Sequence, residues 1–144
     1  MTCLPDVNVW IALIVAEHVG HRTAVEWYGG PDWDTLVFSR VTQMGFLRLL
    51  TNQHVMGKRV VDAGGAWAIL DRVRQGPNIA FAREPAGVED VWRNLTANRS
   101  VGHNFWTDSY LAGFAEASGF TLVTFDQGFK QYKNTPLKIL SRPS

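Results

Sequence analysis

Asp6, Asp108 and Asp126 are the residues of this 144-residue chain whose types and positions could do chemistry together. Asp6 directly follows a short apolar stretch, residues 3–5, and Asp126 directly follows the apolar run 121–125, TLVTF. Asp108 lies in the opening turn of the amphipathic segment 105–117, which leads into that run. Carboxylates gathered in one place repel one another and hold their protons more tightly unless a cation neutralises them. Hard oxygen ligands of this kind suit Mg²⁺ or Mn²⁺. Such an ion binds a phosphodiester oxygen and activates water for attack on phosphorus. Phosphodiester hydrolysis is the reaction these three residues suit.

Whether they meet depends on the elements that carry them. Apolar segments of strand length alternate with helical patterns along the chain. Residues 3–5, 35–38 (TLVF), 78–82, 121–125 and 137–140 read as strands. Residues 8–19, 21–28, 41–51, 63–75, 88–97 and 105–117 read as helices, the third despite Gly45 in its middle. Asp62 stands where an N-cap belongs, Gly76 and Pro77 close the helix it opens, and Gly119 closes the last one. Gly29, Gly30 and Pro31 form a loop. This alternation implies βαβ units and an α/β fold with a mainly parallel sheet. No internal repeat or linker divides the chain, so residues 1–144 are expected to form one domain, with a frayed tail at 141–144.

In open parallel sheets, ligands bind outside the carboxyl ends of the strands. If strands 3–5 and 121–125 are neighbours, Asp6 and Asp126 leave the sheet at the same edge. A helix leading into a parallel strand begins at that edge, so Asp108 arrives there too. Ordinary readings exist for each residue alone. Asp6 could cap the helix that follows, Asp108 could be a first-turn acid favoured by the helix dipole, and Asp126 with Gly128 could be a plain turn. The functional reading rests on all three coinciding at one edge.

Composition sets wide bounds. The hydrophobic fraction is 46%, with six Trp and eight Phe, so a core can be buried and disorder is excluded. No apolar run approaches a membrane span, and the start lacks a basic region ahead of its apolar stretch, so no signal peptide is read. One cysteine, Cys3, excludes an internal disulfide and a four-cysteine zinc site, and fits a reducing cytoplasm. The net charge of +1, from 14 basic and 13 acidic residues, does not announce a nucleic-acid binder and does not exclude one. His18 and His21 are separated by Gly20 and have no third ligand nearby; His54 and His103 have no evident partner. Gly64 and Gly65 lack a phosphate-loop pattern.

At these residues the chain resembles a PIN domain, and more closely a VapC-type toxin of bacterial toxin–antitoxin pairs. The matching stretches are LPDVNVWIA at 4–12, TQMGFLRLL at 42–50, TDSYLA at 107–112 and LVTFDQGF at 122–129. They occur in the family's order and spacing, from about residue 4 to residue 140. The resemblance implies a three-layer α/β/α fold around a central parallel sheet. It implies Mg²⁺- or Mn²⁺-dependent cleavage of RNA, with tRNA or rRNA as typical targets, a VapB-like antitoxin as partner, and a homodimer. It carries the metal-binding role to Asp6, Asp108 and Asp126, and a supporting hydrogen-bonding role to Asn8 and Thr124. One departure follows. Many PIN domains have a glutamate where this chain has Gln43, which is neutral and cannot serve as a general base. Weaker metal binding, or coordination completed by RNA phosphates, is the expectation. Glu84, after strand 78–82, is the one candidate substitute.

Three functions therefore compete. The first is an endoribonuclease toxin. The second is a catalytically weak PIN domain that binds RNA or a protein partner, motivated by Gln43. The third is DNA cleavage, ranked lowest because the chain is short and shows no added DNA-binding segment.

Overall fold

A computed structural model of the chain describes residues 1–141. Five strands, β1 (Thr2–Pro5), β2 (Thr35–Phe38), β3 (Ile79–Phe81), β4 (Thr121–Thr124) and β5 (Leu137–Ile139), form one sheet in the order β3-β2-β1-β4-β5. Every pairing is parallel. The expected neighbours are in place: Cys3, Leu4 and Pro5 pair with Thr121, Leu122 and Val123. The Asp6 amide continues the ladder by donating to the Val123 carbonyl at 2.8 Å.

Side chains alternate across the sheet, as strand geometry requires. Cys3, Leu36, Phe38 and Val123 enter one core with α1 (Val7–Ile14), α2 (His21–Tyr28), α3 (Arg40–Leu50) and α5 (Ala63–Arg74). Leu4, Val37 and Leu122 enter the other with α6 (Val88–Thr96) and α7 (Phe105–Ser118). This is the expected α/β/α sandwich. Trp10, Phe46 and Phe114 are fully buried anchors of the two cores. Each contributes on the order of 1.5–3 kcal/mol by leaving water.

The elements depart from expectation in their limits. The first helix starts at Val7, because Asp6 rather than a later residue is its N-cap, and it stops at Ile14 rather than residue 19. Val15 is already extended (φ −106°, ψ 105°), and the chain then turns through 15–20 into Gly20. A Cβ at Gly20 would stand 2.6 Å from Phe125 Cζ, so the turn needs glycine there. A short helix α4 (Gln53–Met56) and a 3₁₀ turn at Gly57–Arg59 occupy a stretch that no pattern assigned. The strand read at 78–82 is three residues long, since Asn78 sits in the left-handed region at φ 62°. Of the tail expected to fray, only Ser141 lies within the described residues; it has no regular structure.

Candidate active site

β1 and β4 deliver Asp6 and Asp126 to the carboxyl edge of the sheet. Asp6 Oδ1 accepts from the Val7 amide at 2.7 Å, which caps α1. Its other oxygen accepts from the Thr124 hydroxyl at 3.0 Å. The same Thr124 oxygen accepts from the Asp126 amide at 3.0 Å, so one buried hydroxyl ties the two strand ends together. Asp126 Oδ1 in turn accepts from the Gly128 amide at 2.8 Å and opens the 3₁₀ turn Gln127–Gln131.

Asp108 comes from the first turn of α7. That helix begins after Asn104, which adopts a left-handed conformation (φ 61°) that asparagine tolerates better than most residues. The three aspartates line one pocket, together with Asn8, Gly45, Arg48, Asn104 and Thr107. Its walls are the starts of α1 and α7 and one face of α3.

Electrostatics record the convergence. Asp108 is pushed up to about 6, first by burial, then by the nearby charges of Asp6 and Asp126, with His103 pulling weakly the other way. Asp6 is also raised, by burial first, although Thr124 and the Val7 amide favour its charged form; Asp126 adds repulsion. None of the ion pairs among the described residues involves these acids. Nor, among those residues, do three His, Cys, Asp or Glu side chains stand together as a ready-made metal cage. Asp6 and Asp126 line the pocket while held by backbone or hydroxyl donors, and the Asp108 carboxylate lines it with no hydrogen-bond donor among the described residues. The donor set of carboxylate, amide and hydroxyl oxygens fits a hard divalent cation, which would relieve the repulsion.

Other expected residues lie elsewhere. Gln43 is buried, 4% exposed, and does not line the pocket. Its amide oxygen accepts from the Arg40 guanidinium, which stacks over the Phe81 ring at 4.5 Å. Gly45 is one of the α3 residues that line the pocket with the acids. A Cβ there would lie 2.6 Å from Val7 Cγ2, so no larger side chain fits without moving α1. Glu84 accepts from Tyr110 Oη at 2.6 Å and is not part of the pocket lining. Asn8 lines the pocket but makes no side-chain hydrogen bond among the described residues, whereas Thr124 bonds Asp6 as expected. His18 and His21 serve local structure: the former accepts from the Gly20 amide and the latter pairs with the Ala12 carbonyl. A larger cavity opens between Cys3, Trp27, Trp33 and Leu137, at the opposite edge of the sheet, away from the three acids. Sequence reading did not single out Arg48, Asn104 or Thr107. Their signal was available, since Asn104 precedes Asp108 by one turn, Thr107 is its immediate neighbour, and Arg48 follows Gly45 by one turn.

The model of the PIN domain family matches residues 3–134. The chain belongs to the PIN domain family. Ribonuclease VapC41 of Mycobacterium tuberculosis is 37% identical to it over 144 residues, covering 96% of this chain and 99% of the relative. Ribonuclease VapC29 of the same organism is 35% identical over 130 residues, covering 89% and 88%. Among solved structures, VapC20 of Mycobacterium tuberculosis, described as a sarcin-ricin loop cleaving toxin, superposes with a TM-score of 0.65 at 22% identity, covering 99% of this chain and 100% of that one. VapBC2 from Rickettsia felis, bound to a DNA fragment from its promoter, does so with a TM-score of 0.68 at 16% identity, covering 98% and 100%. These likenesses show the PIN fold. No helix among the described residues is long and apolar enough to cross a membrane.

Proposed function

We propose that this PIN domain is a metal-dependent endoribonuclease, the toxin of a VapBC-type pair, acting in the cytoplasm on tRNA or rRNA. The observation that carries this is the meeting of Asp6, Asp108 and Asp126 in one pocket. It occurs in a chain 37% identical to a VapC ribonuclease over nearly its whole length. Asp6 and Asp126, on neighbouring strand ends, are the residues that would hold Mg²⁺ or Mn²⁺, with Asp108 completing the set. Bound there, the ion supplies charge neutralisation and an activated water.

The chain's own groups do the rest. Thr124 keeps the Asp6 carboxylate turned toward its neighbour by donating to one oxygen. Asp108, whose carboxyl group is pushed up to about 6 in the metal-free chain by burial and by Asp6 and Asp126, would be returned to its charged form by a bound cation. Hydrolysis adds one water across the P–O bond. Its oxygen joins phosphorus, one proton passes to the pocket and the other ends on the departing ribose oxygen. A VapB-like antitoxin is the proposed inhibitor, and a homodimer the proposed assembly.

Cleavage of tRNA with Mg²⁺ or Mn²⁺ by the wild type, Asp6→Asn and Asp108→Asn tests the reading. Loss of cutting in both variants supports it. Equal cutting by all three, or none by the wild type under varied metals, rejects it.

A second reading, a PIN domain that binds RNA or a protein without efficient cleavage, is favoured by one observation: the pocket holds three acids and Gln43 adds no fourth. Because Gln43 is buried against Arg40, we assign it to anchoring the start of α3. Gln43→Glu should therefore pair with Arg40 and leave the cleavage rate near the wild-type value. A large gain would mark the natural chain as impaired.

A further inference from the structure

Among the described residues that line the aspartate pocket, one carries a formal positive charge. Arg48 stands in the last turn of α3, exposed, on the pocket side of the helix. Its guanidinium has no carboxylate partner among the described residues. The ion pairs there are Met1 with Asp34, Arg22 with Glu26, Arg59 with Glu17 and Arg93 with Glu89.

The packing of α3 explains how Arg48 reaches this place. Gly45 and Arg48 are three residues apart and share a helix face. Gly45 has no side chain, and its backbone presses against Val7, the residue next to Asp6. The helix therefore lies close to the acids, and the side chain one turn further on meets their pocket rather than a neighbouring core.

Charge makes that position consequential. Three ionised carboxylates repel a phosphodiester. One divalent cation leaves a negative charge uncancelled, and the incoming phosphate adds another. A fixed cation on the same pocket lowers that barrier, and a guanidinium can meet two phosphate oxygens at once. We infer that Arg48 is a substrate-binding residue that grips an RNA phosphate at the mouth of the aspartate pocket. The inference rests on the nuclease reading for the identity of the strand. A basic residue in a last turn also complements the helix dipole. That role alone affects stability and leaves RNA binding untouched.

Fluorescence anisotropy of a labelled single-stranded RNA, in EDTA and across a salt series, separates the two roles. The full chain is compared as wild type, Arg48→Ala and Arg48→Lys, at a temperature where all are folded. Arg48→Ala should weaken binding about tenfold, the worth of a charge-assisted hydrogen bond. Its salt slope should fall by about 0.7, one phosphate contact on a single strand. Arg48→Lys keeps the charge without the fork, so it should retain the slope and recover part of the affinity. With Mg²⁺ or Mn²⁺ present, Arg48→Ala should raise KM more than it lowers kcat. Unchanged affinity and slope in Arg48→Ala would overturn the inference, as would no RNA binding by the wild type. If the wild type cuts while Arg48→Ala binds and cuts equally well, Arg48 is excluded and the nuclease reading stands. If Arg48 governs binding yet nothing cuts with any metal, the nuclease reading fails and the phosphate contact stands.

Discussion

Asp6 fulfils two readings that look like rivals in the sequence. It caps α1 through the Val7 amide, and it faces the pocket with its carboxylate held by Thr124. A short acid after a strand serves both purposes because the strand's end, the helix's start and the ligand-binding edge are one place. The Thr124 hydroxyl joins two of the acids, so Thr124→Val should cost about 1–3 kcal/mol by leaving buried polar groups without partners. Urea unfolding would measure that loss. Asp108 gives a pH prediction. Its folded-state value is raised from 3.8 to about 6. Its contribution to stability is therefore complete below the unfolded value and is lost as pH rises through about 6. In EDTA, the urea midpoint of the wild type should fall between about pH 5 and about pH 7.5 by more than that of Asp108→Asn. An equal fall in both would contradict the origin assigned to the shift. Gln43 shows where reading residue by residue stops. The resemblance to PIN domains placed it at a position where many of them have a glutamate, but which way a helical side chain points depends on packing. Here that packing turns it toward Arg40 and Phe81.

At the scale of elements, the strands were legible because β-branched and apolar runs bounded by turns have few other readings. Helix limits were less so. The apolar pattern of α1 continues past Ile14, and nothing local shows that Gly20 must make room for Phe125 from a distant strand end. The four-residue α4 is too short to leave a periodic trace. Gly45 was visible only as a poor helix former; its reason is the contact between α3 and α1. Gly45→Ala replaces it with a better helix former, worth about 1 kcal/mol locally. It should nonetheless destabilise, since overpacking costs about 1–3 kcal/mol. Val7→Ala in the same background should recover stability. Thermal melts of the single and double variants would show whether the close approach is real.

For the whole molecule, what the sequence carried was topology. Alternating strands and helices implied a parallel sheet, and the sheet's order brings together residues more than a hundred positions apart. What it could not carry was the degree of closure of the site. The carboxylates share a pocket, and the proton affinities of Asp6 and Asp108 are raised by burial and by their acidic neighbours, yet Asp6 and Asp126 keep protein donors and, among the described residues, the three form no finished cage. In the proposed function, a divalent cation draws the three together. Titration of Mn²⁺ into the metal-free chain, followed by electron paramagnetic resonance, tests this most directly for the wild type and for Asp6→Asn, Asp108→Asn and Asp126→Asn. Saturable binding by the wild type is expected, weakened at least about tenfold in every variant, since each removes a charged ligand. Binding of equal strength in all four proteins, or none in the wild type, would contradict it.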